Sequence, residues 1–160
     1  MRRELLEPLE LDAGFGWPPT VLGHYCRDNV LVPHDHRDGY ALPRTLAAAG
    51  DVNATIESYA SFVQLHLRGL RGDSQLVRGS TYSKLHTPIV DEFALGWGRQ
   101  EWEGAETSVH TASAGTFFAI VALQPERDFA VAAVVNAGGE RSQQEAVEIV
   151  RRLVREHAVE

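Results

Sequence analysis

Two short segments, Thr116 to Leu123 and Phe129 to Asn136, are apolar at odd and even positions alike, and few folds accommodate that. Successive side chains of a strand point to opposite faces, so strands without polar alternation need cover on both sides. Between them, Gln124-Pro125-Glu126-Arg127-Asp128 has Pro and Asp where a turn uses them: Pro presets φ, and Asp bonds nearby backbone. Cover for one face is at hand in Glu140 to His157. Helical spacing puts Ala146, Val147, Ile149, Val150, Leu153 and Val154 on one broad face, with acids early and Arg151, Arg152 and Arg155 late, as the helix dipole favours.

Upstream, Thr55 is placed to cap a helix with Glu57 in its first turn, and Ile56, Tyr59, Phe62, Val63 and Leu67 recur at helical spacing until Gly69. A shorter helix is expected after Ser80, carrying Tyr82, Leu85 and His86 until Pro88 stops it. Phe93 to Trp102 and Thr107 to Thr111 read as two further strands joined through a tight turn at Glu103-Gly104. Residues 2 to 7 suit one or two helical turns ending at Pro8. Gly14, Gly16, Pro18, Pro19 and Gly23 then argue for loop, and the stretch from about 24 to 50 reads as irregular. A structureless run of that length inside a compact domain points to missing neighbours or a functional surface.

The expected fold is α+β: an antiparallel sheet of about four strands covered by the C-terminal helix, in one partial domain over residues 1–160. Residues 1–91 make a partial helical and loop lobe, and residues 92–160 the sheet and its helix. With 44% hydrophobic and 23% charged residues the chain has a core to build, so disorder is not the default. The formal charge of −7, with basic residues scattered rather than striped, argues against nucleic acid. No apolar run is long enough to cross a bilayer as a helix, so no membrane partner is expected. Cys26 is the sole cysteine, and the N-terminus alternates acids with leucines rather than forming an apolar leader. A cytoplasmic location is therefore expected.

Several segments, taken in order, resemble the C-terminal region of the β-lactamase-related serine hydrolases, the family of class C β-lactamases, D-Ala-D-Ala carboxypeptidases and penicillin-binding-protein-like esterases. They are Leu5-Leu6-Glu7-Pro8-Leu9; Ala49-Gly50-Asp51-Val52 with the helix after it; Leu85-His86-Thr87-Pro88 before Phe93-Ala94-Leu95-Gly96-Trp97-Gly98; and His110-Thr111-Ala112-Ser113-Ala114-Gly115, followed by Leu123-Gln124-Pro125-Glu126-Arg127 and Val134-Val135-Asn136-Ala137. The resemblance implies a partial β-lactamase/transpeptidase-like fold, with His110, Thr111 and Ser113 on the strand lining the active site. His110 and Thr111 would face a substrate carboxylate or the proton network, and the Ser113 N–H would supply half of an oxyanion hole. Ala112 stands where the family has glycine, and its methyl group would crowd a substrate alongside the strand.

The family's nucleophile belongs to a Ser-x-x-Lys motif, in which the amine takes the hydroxyl proton. The sole lysine, Lys84, has Thr81 three positions before it, in a segment resembling a remote surface helix. The Tyr-x-Asn or Ser-x-Asn motif is also missing, since Asn29, Asn53 and Asn136 follow Arg27, Asp51 and Val134 at that spacing. The implied function is thus a C-terminal portion of a serine hydrolase that is catalytically incomplete alone. The alternative is a small hydrolase or esterase that has recruited a nucleophile, Ser113 with His110 and Asp128, although His110 and Ser113 on one strand point to opposite faces. In the family the first strands pair beside the last one. Their absence would leave Phe129 to Asn136 as an open edge, so a homo-oligomer or a complementing chain is the expected partner.

No cofactor is expected. His24, His34, Asp35, His36 and Asp38 are metal-ligand types gathered in one stretch, but without regular structure to fix them solvent-facing loop is the default and no metal is assigned. Trp17, Trp97 and Trp102 are expected to pack at sheet ends rather than to line a ligand groove.

Overall fold

The computed structural model describes residues 1–18, 20–28, 30–34 and 42–158. Its centre is a four-stranded antiparallel sheet in the order β5 (Gly98–Trp102), β6 (Ala105–Ser113), β7 (Phe118–Gln124) and β8 (Phe129–Val135). The sheet is a simple meander. Glu103 and Gly104, both at positive φ, make the tight turn between β5 and β6, and Asp128 adopts the left-handed conformation before β8. Helix α4 (Glu140–Ala158) crosses one face; α2 (Ile56–Leu70) packs on the other, with α3 (Gly79–His86) against it.

The double-sided apolar pattern of β7 is satisfied as the sequence requires. Phe118, Ile120 and Ala122 meet Ala146, Val150 and Val154 of α4, whereas Val121 and Leu123 meet Val63, Leu67 and Trp97. Ile120, Val121 and Leu123 are excluded from water on opposite faces of one strand, and each contributes about 1.5–3 kcal/mol of hydrophobic stabilisation. Gln124 is buried at the end of β7, where its amide donates to the Trp102 carbonyl and the Thr107 hydroxyl and accepts from Arg127, so no polar atom is stranded. Trp97 and Trp102 are buried in the two cores, as expected of sheet-end tryptophans.

Helix α2 begins as its sequence predicts: the Thr55 hydroxyl accepts from the Ser58 N–H at 3.2 Å, and the Ser58 hydroxyl accepts from the Asp12 N–H at 2.8 Å. Near its end Gly69 lies under the Tyr82 ring, where any Cβ would overlap the aromatic carbons, so only glycine lets α3 approach this closely. An N-terminal helical turn, Arg2–Leu6, has π-type bonding.

Two expectations are corrected. Residues 93–97 are not strand: the Ala94 N–H donates to the Trp97 carbonyl and Gly96 takes a φ of 89°, turning the chain back so that the strand starts only at Gly98. The stretch read as loop from 14 to 50 contains three ordered strands and part of their pairing. β1 (Ala13–Phe15) pairs with β4 (Val52–Ala54), while β2 (His24–Arg27) and β3 (Val30–Pro33) form a hairpin. Arg44–Leu46 and α1 (Ala47–Gly50) add a short helical segment. Such short strands are set by partners distant in sequence or by a local turn, and neither produces a long periodic pattern. Among the described residues no helix is long and apolar enough to cross a membrane.

Candidate active site

Strand β5 pairs with β6 only as far as Gly98 with Val109, whereas β7 follows β6 to Ser113. On the β5 side, therefore, residues 110 to 113 run on without a strand partner among the described residues. This is the segment singled out in the sequence, and all four of its side chains are exposed.

His110 is held at its base. Its Nδ1 lies 2.7 Å from the Gly96 carbonyl, and because a carbonyl only accepts, Nδ1 carries the proton. In the neutral ring Nε2 is then the site with the lone pair. The turn at Gly96 that replaces the first part of the expected strand thus has a use: it brings a carbonyl beneath the histidine. Ser113, at the end of β6, accepts from the Gly115 N–H at 3.3 Å. Its side chain leaves the opposite face of the strand from His110, since the two are three positions apart. Asp128 follows β7 at the other end of the sheet, paired with Arg71 at 3.2 Å, whereas Ser113 lies opposite Phe118 at the start of β7. Six residues of strand, about 20 Å, separate the two ends, so Ser113, His110 and Asp128 are not brought together.

Behind His110 lies a group that pattern reading did not find. His86 is buried with its Nδ1 2.8 Å from the Ser108 hydroxyl and its Nε2 2.9 Å from Nδ1 of His66, also buried. Trp97 stacks on His86 with ring centroids 4.4 Å apart and meets His110 edge-on at 6.0 Å. Burial pulls the His66 pKa down to about 4. It pulls His86 down to about 3, with the charges of His66 and Arg99 acting in the same direction. Both rings are therefore neutral at pH 7 and serve as hydrogen-bonding aromatics. Two of the three carried a signal: His66 falls on the apolar stripe of α2, and Ser108 sits two residues before His110 on the same face of β6.

The rim at the Ser113 end comes from β2. The His24 N–H donates to the carbonyls of Thr116 and Asn136, its Nδ1 bonds the Asn136 carbonyl at 3.0 Å, and its own carbonyl accepts from Gly138. Gly138 passes so close to the Gly115 carbonyl that a Cβ there would collide with it. His34 is buried beside Trp17 and Tyr25. Asp35, His36, Asp38 and Asn29 lie outside the described residues. Among those described, no three His, Cys, Asp or Glu side chains converge as metal ligands. Thr81 and Lys84 are on α3, with Lys84 exposed, and Asn53 and Asn136 each donate to a backbone carbonyl, of Gly16 and Leu22.

A family model described as Beta-lactamase matches residues 1–155. No curated protein matches the chain. Among solved structures, an octameric penicillin-binding protein homologue from Pyrococcus abyssi is similar with a TM-score of 0.75 at 18% identity, over 96% of this chain and 36% of that one. A structure of SurE is similar with a TM-score of 0.73 at 20% identity, over 96% and 38% of the two chains. A D-stereospecific amidohydrolase from a Streptomyces species follows with a TM-score of 0.65 at 18% identity, over 93% and 46%. The chain spans less than half the length of each.

Proposed function

From the premise that this chain belongs to the beta-lactamase family, we propose that it forms one wall of a serine acyl-hydrolase active site and lacks, within its 160 residues, the groups that attack the carbonyl. The observation that carries this reading is the free edge of β6 at residues 110 to 113, backed by Trp97 and the His66–His86–Ser108 chain, with no Ser-x-x-Lys or Tyr-x-Asn motif anywhere in the sequence. A fixed strand edge suits an acyl substrate because its backbone groups are already oriented when oxyanion charge develops, so no reorganisation is needed in the transition state. In this role His110 presents Nε2 to a substrate carboxylate or the proton network, Thr111 lines the same edge, and the Ser113 N–H is one oxyanion donor. The substrate class is an amide or ester, β-lactams included. The nucleophile and its base come from another segment or another chain, and the octameric assembly named for the Pyrococcus abyssi homologue makes a multi-chain arrangement a natural one to test.

A self-sufficient esterase with Ser113 as nucleophile is the competing reading, and the separation of Ser113 from both His110 and Asp128 argues against it. Intact-mass measurement of the pure chain after incubation with a penicillin and with a fluorophosphonate distinguishes them. We expect no covalent adduct and no turnover of a chromogenic ester; an adduct that disappears in Ser113→Ala would replace our reading with the competing one.

A further inference from the structure

Gly96, whose carbonyl holds His110, stands in an open turn. Its φ is 89°, and beyond its chain neighbours no atom lies within 4 Å of where a Cβ would be, so no packing on Gly96 itself fixes the direction of that carbonyl. Its placement has to come from the residues on either side, and both are gripped by one element. The Leu95 N–H donates to the Leu85 carbonyl at 3.2 Å, and the Trp97 ring stacks on His86 at 4.4 Å with 28° between the planes. Leu85 and His86 are the last two residues of α3.

The sequence prepares that helix end. Pro88 keeps the chain from continuing as helix, and the Thr87 hydroxyl donates to the Ser83 carbonyl at 2.7 Å. Carbonyls in the last turn of a helix have no partner within it, so that of Leu85 can accept from Leu95. His86 is fixed in turn at both ring nitrogens, to Ser108 at 2.8 Å and to His66 at 2.9 Å, and its ring cannot rotate without giving up both bonds. Ser108 stands two residues before His110 on β6. The contacts therefore close on themselves, from His110 through Gly96, Trp97, His86 and Ser108 and back along the strand.

We propose that His86, through its stack on Trp97, positions His110: the end of α3 holds the Gly96 carbonyl where only the Nδ1–H tautomer satisfies it, so that the neutral ring offers Nε2 as an acceptor. The use made of this arrangement rests on the acyl-hydrolase reading. Which ring nitrogen of a histidine carries the proton is set by the partner of the other. Without such a carbonyl the Nε2–H form is the commoner one in water. A lone pair at Nε2 repels a carboxylate and accepts from a hydroxyl or an ammonium group. Of the two partners named above for His110, the neutral ring thereby selects the proton network, and a substrate carboxylate needs a different donor. His86 acts only through His110 and is a positioning residue, not a catalytic one.

Nitrogen-15 spectra of the full chain at about pH 8, where imidazoles are neutral, read the tautomer directly, with His110→Gln assigning the signals. In the wild type Nδ1 of His110 should carry the proton and Nε2 should not. His86→Leu removes the stacked ring and should shift the tautomer ratio about 5-fold or more toward Nε2–H. His86→Phe with Ser108→Ala keeps a ring against Trp97 without stranding the hydroxyl, and should restore most of the wild-type ratio. Ile120→Ala loosens the opposite face of the sheet and should leave the ratio unchanged, so lost packing by itself does not imitate the effect. If His86→Leu does not fold, Trp97→Phe tests the same contact, with a smaller shift in the same direction. An Nε2–H ring in the wild type would overturn the proposal, as would a wild-type ratio in folded His86→Leu or Trp97→Phe. So would an equal shift in Ile120→Ala, or a ratio that the ring at position 86 does not restore. The spectra need no substrate, so the two readings fail separately: a Ser113 adduct with the penicillin would remove the acyl-hydrolase reading and leave the tautomer result standing.

Discussion

The two faces of the central sheet are built from different chemistry. Under α4 the buried core has no titratable side chain: Trp102, Val109, Phe118, Ile120 and Ala122 meet Ala146, Val150 and Val154, and its buried polar groups, Gln124 and Thr107, are neutral and bonded to each other. Under α2 and α3, Val121 and Leu123 share their face with two buried histidines, a buried serine and a tyrosine whose hydroxyl bonds the Gln75 carbonyl. The α4 face holds together by area excluded from water and by hydrogen bonds between uncharged groups, which pH does not touch. The histidine face depends on hydrogen bonds that stay satisfied only in one protonation state. His110, the exposed member of the candidate site, rests against the second face through Trp97. The side that carries the proposed chemistry is thus the one whose packing is conditional.

That contrast can be broken most directly on the α4 side. Ile120→Ala removes a side chain that is 1% exposed and leaves a cavity in the middle of β7. It should cost about 3–4 kcal/mol, by an equal amount at pH 7 and pH 5. Urea unfolding at both values checks this, and a loss that changes with pH would mean the two faces are not separable.

Acid should act on the other side. Folding lowers the pKa of His66 from 6.5 to about 4 and that of His86 to about 3, so between the unfolded and folded values the unfolded chain binds more protons. Their contribution is complete above pH 6.5, declines as pH falls through the window, and is gone below about pH 3. The loss by pH 4 should be on the order of 3 kcal/mol for each ring, because a tenfold change in proton affinity is worth about 1.4 kcal/mol and the window spans roughly two and a half pH units. The difference in urea midpoint between the wild type and His66→Gln with His86→Gln, followed from pH 7 to pH 4, isolates this from ordinary carboxylate titration. Parallel curves would show that the buried pair does not govern acid sensitivity.

The smallest effect sharpens the comparison. Ser108→Ala takes away the oxygen 2.8 Å from His86 Nδ1 and leaves a buried ring nitrogen without that partner, at a cost of about 1–2 kcal/mol. Unfolding at pH 7 measures it, and a neutral substitution would mean that water or another group replaces the hydroxyl freely.

Much of the architecture was legible beforehand. The double-sided apolar strands, the Thr55 cap and the broad apolar face of Glu140 to His157 each state a local rule that the fold obeys, because burial and capping act through spacing along the chain. The β1–β4 pairing was not legible, since Ala13 finds its partner at Ala54 and nothing near either residue says so. Phe93 to Trp97 misled because its composition suits a strand, while Gly96 turns it back toward Gly98. The candidate site divides the same way. His110, Thr111 and Ser113 could be named from their segment alone, but His66, His86 and Ser108 stand at three distant positions and only packing makes them a chain.

The order of residues, taken by itself, determined that this protein must bury a sheet on both faces, that one cover is a C-terminal helix, and that the Ser-x-x-Lys and Tyr-x-Asn motifs are not encoded in its 160 residues. Tertiary structure alone decided that Gly96 supports His110 and that three polar side chains share one buried network. Periodicity and capping are properties of neighbours along the chain. Hydrogen-bonded contact between distant residues exists only once the chain has closed around them.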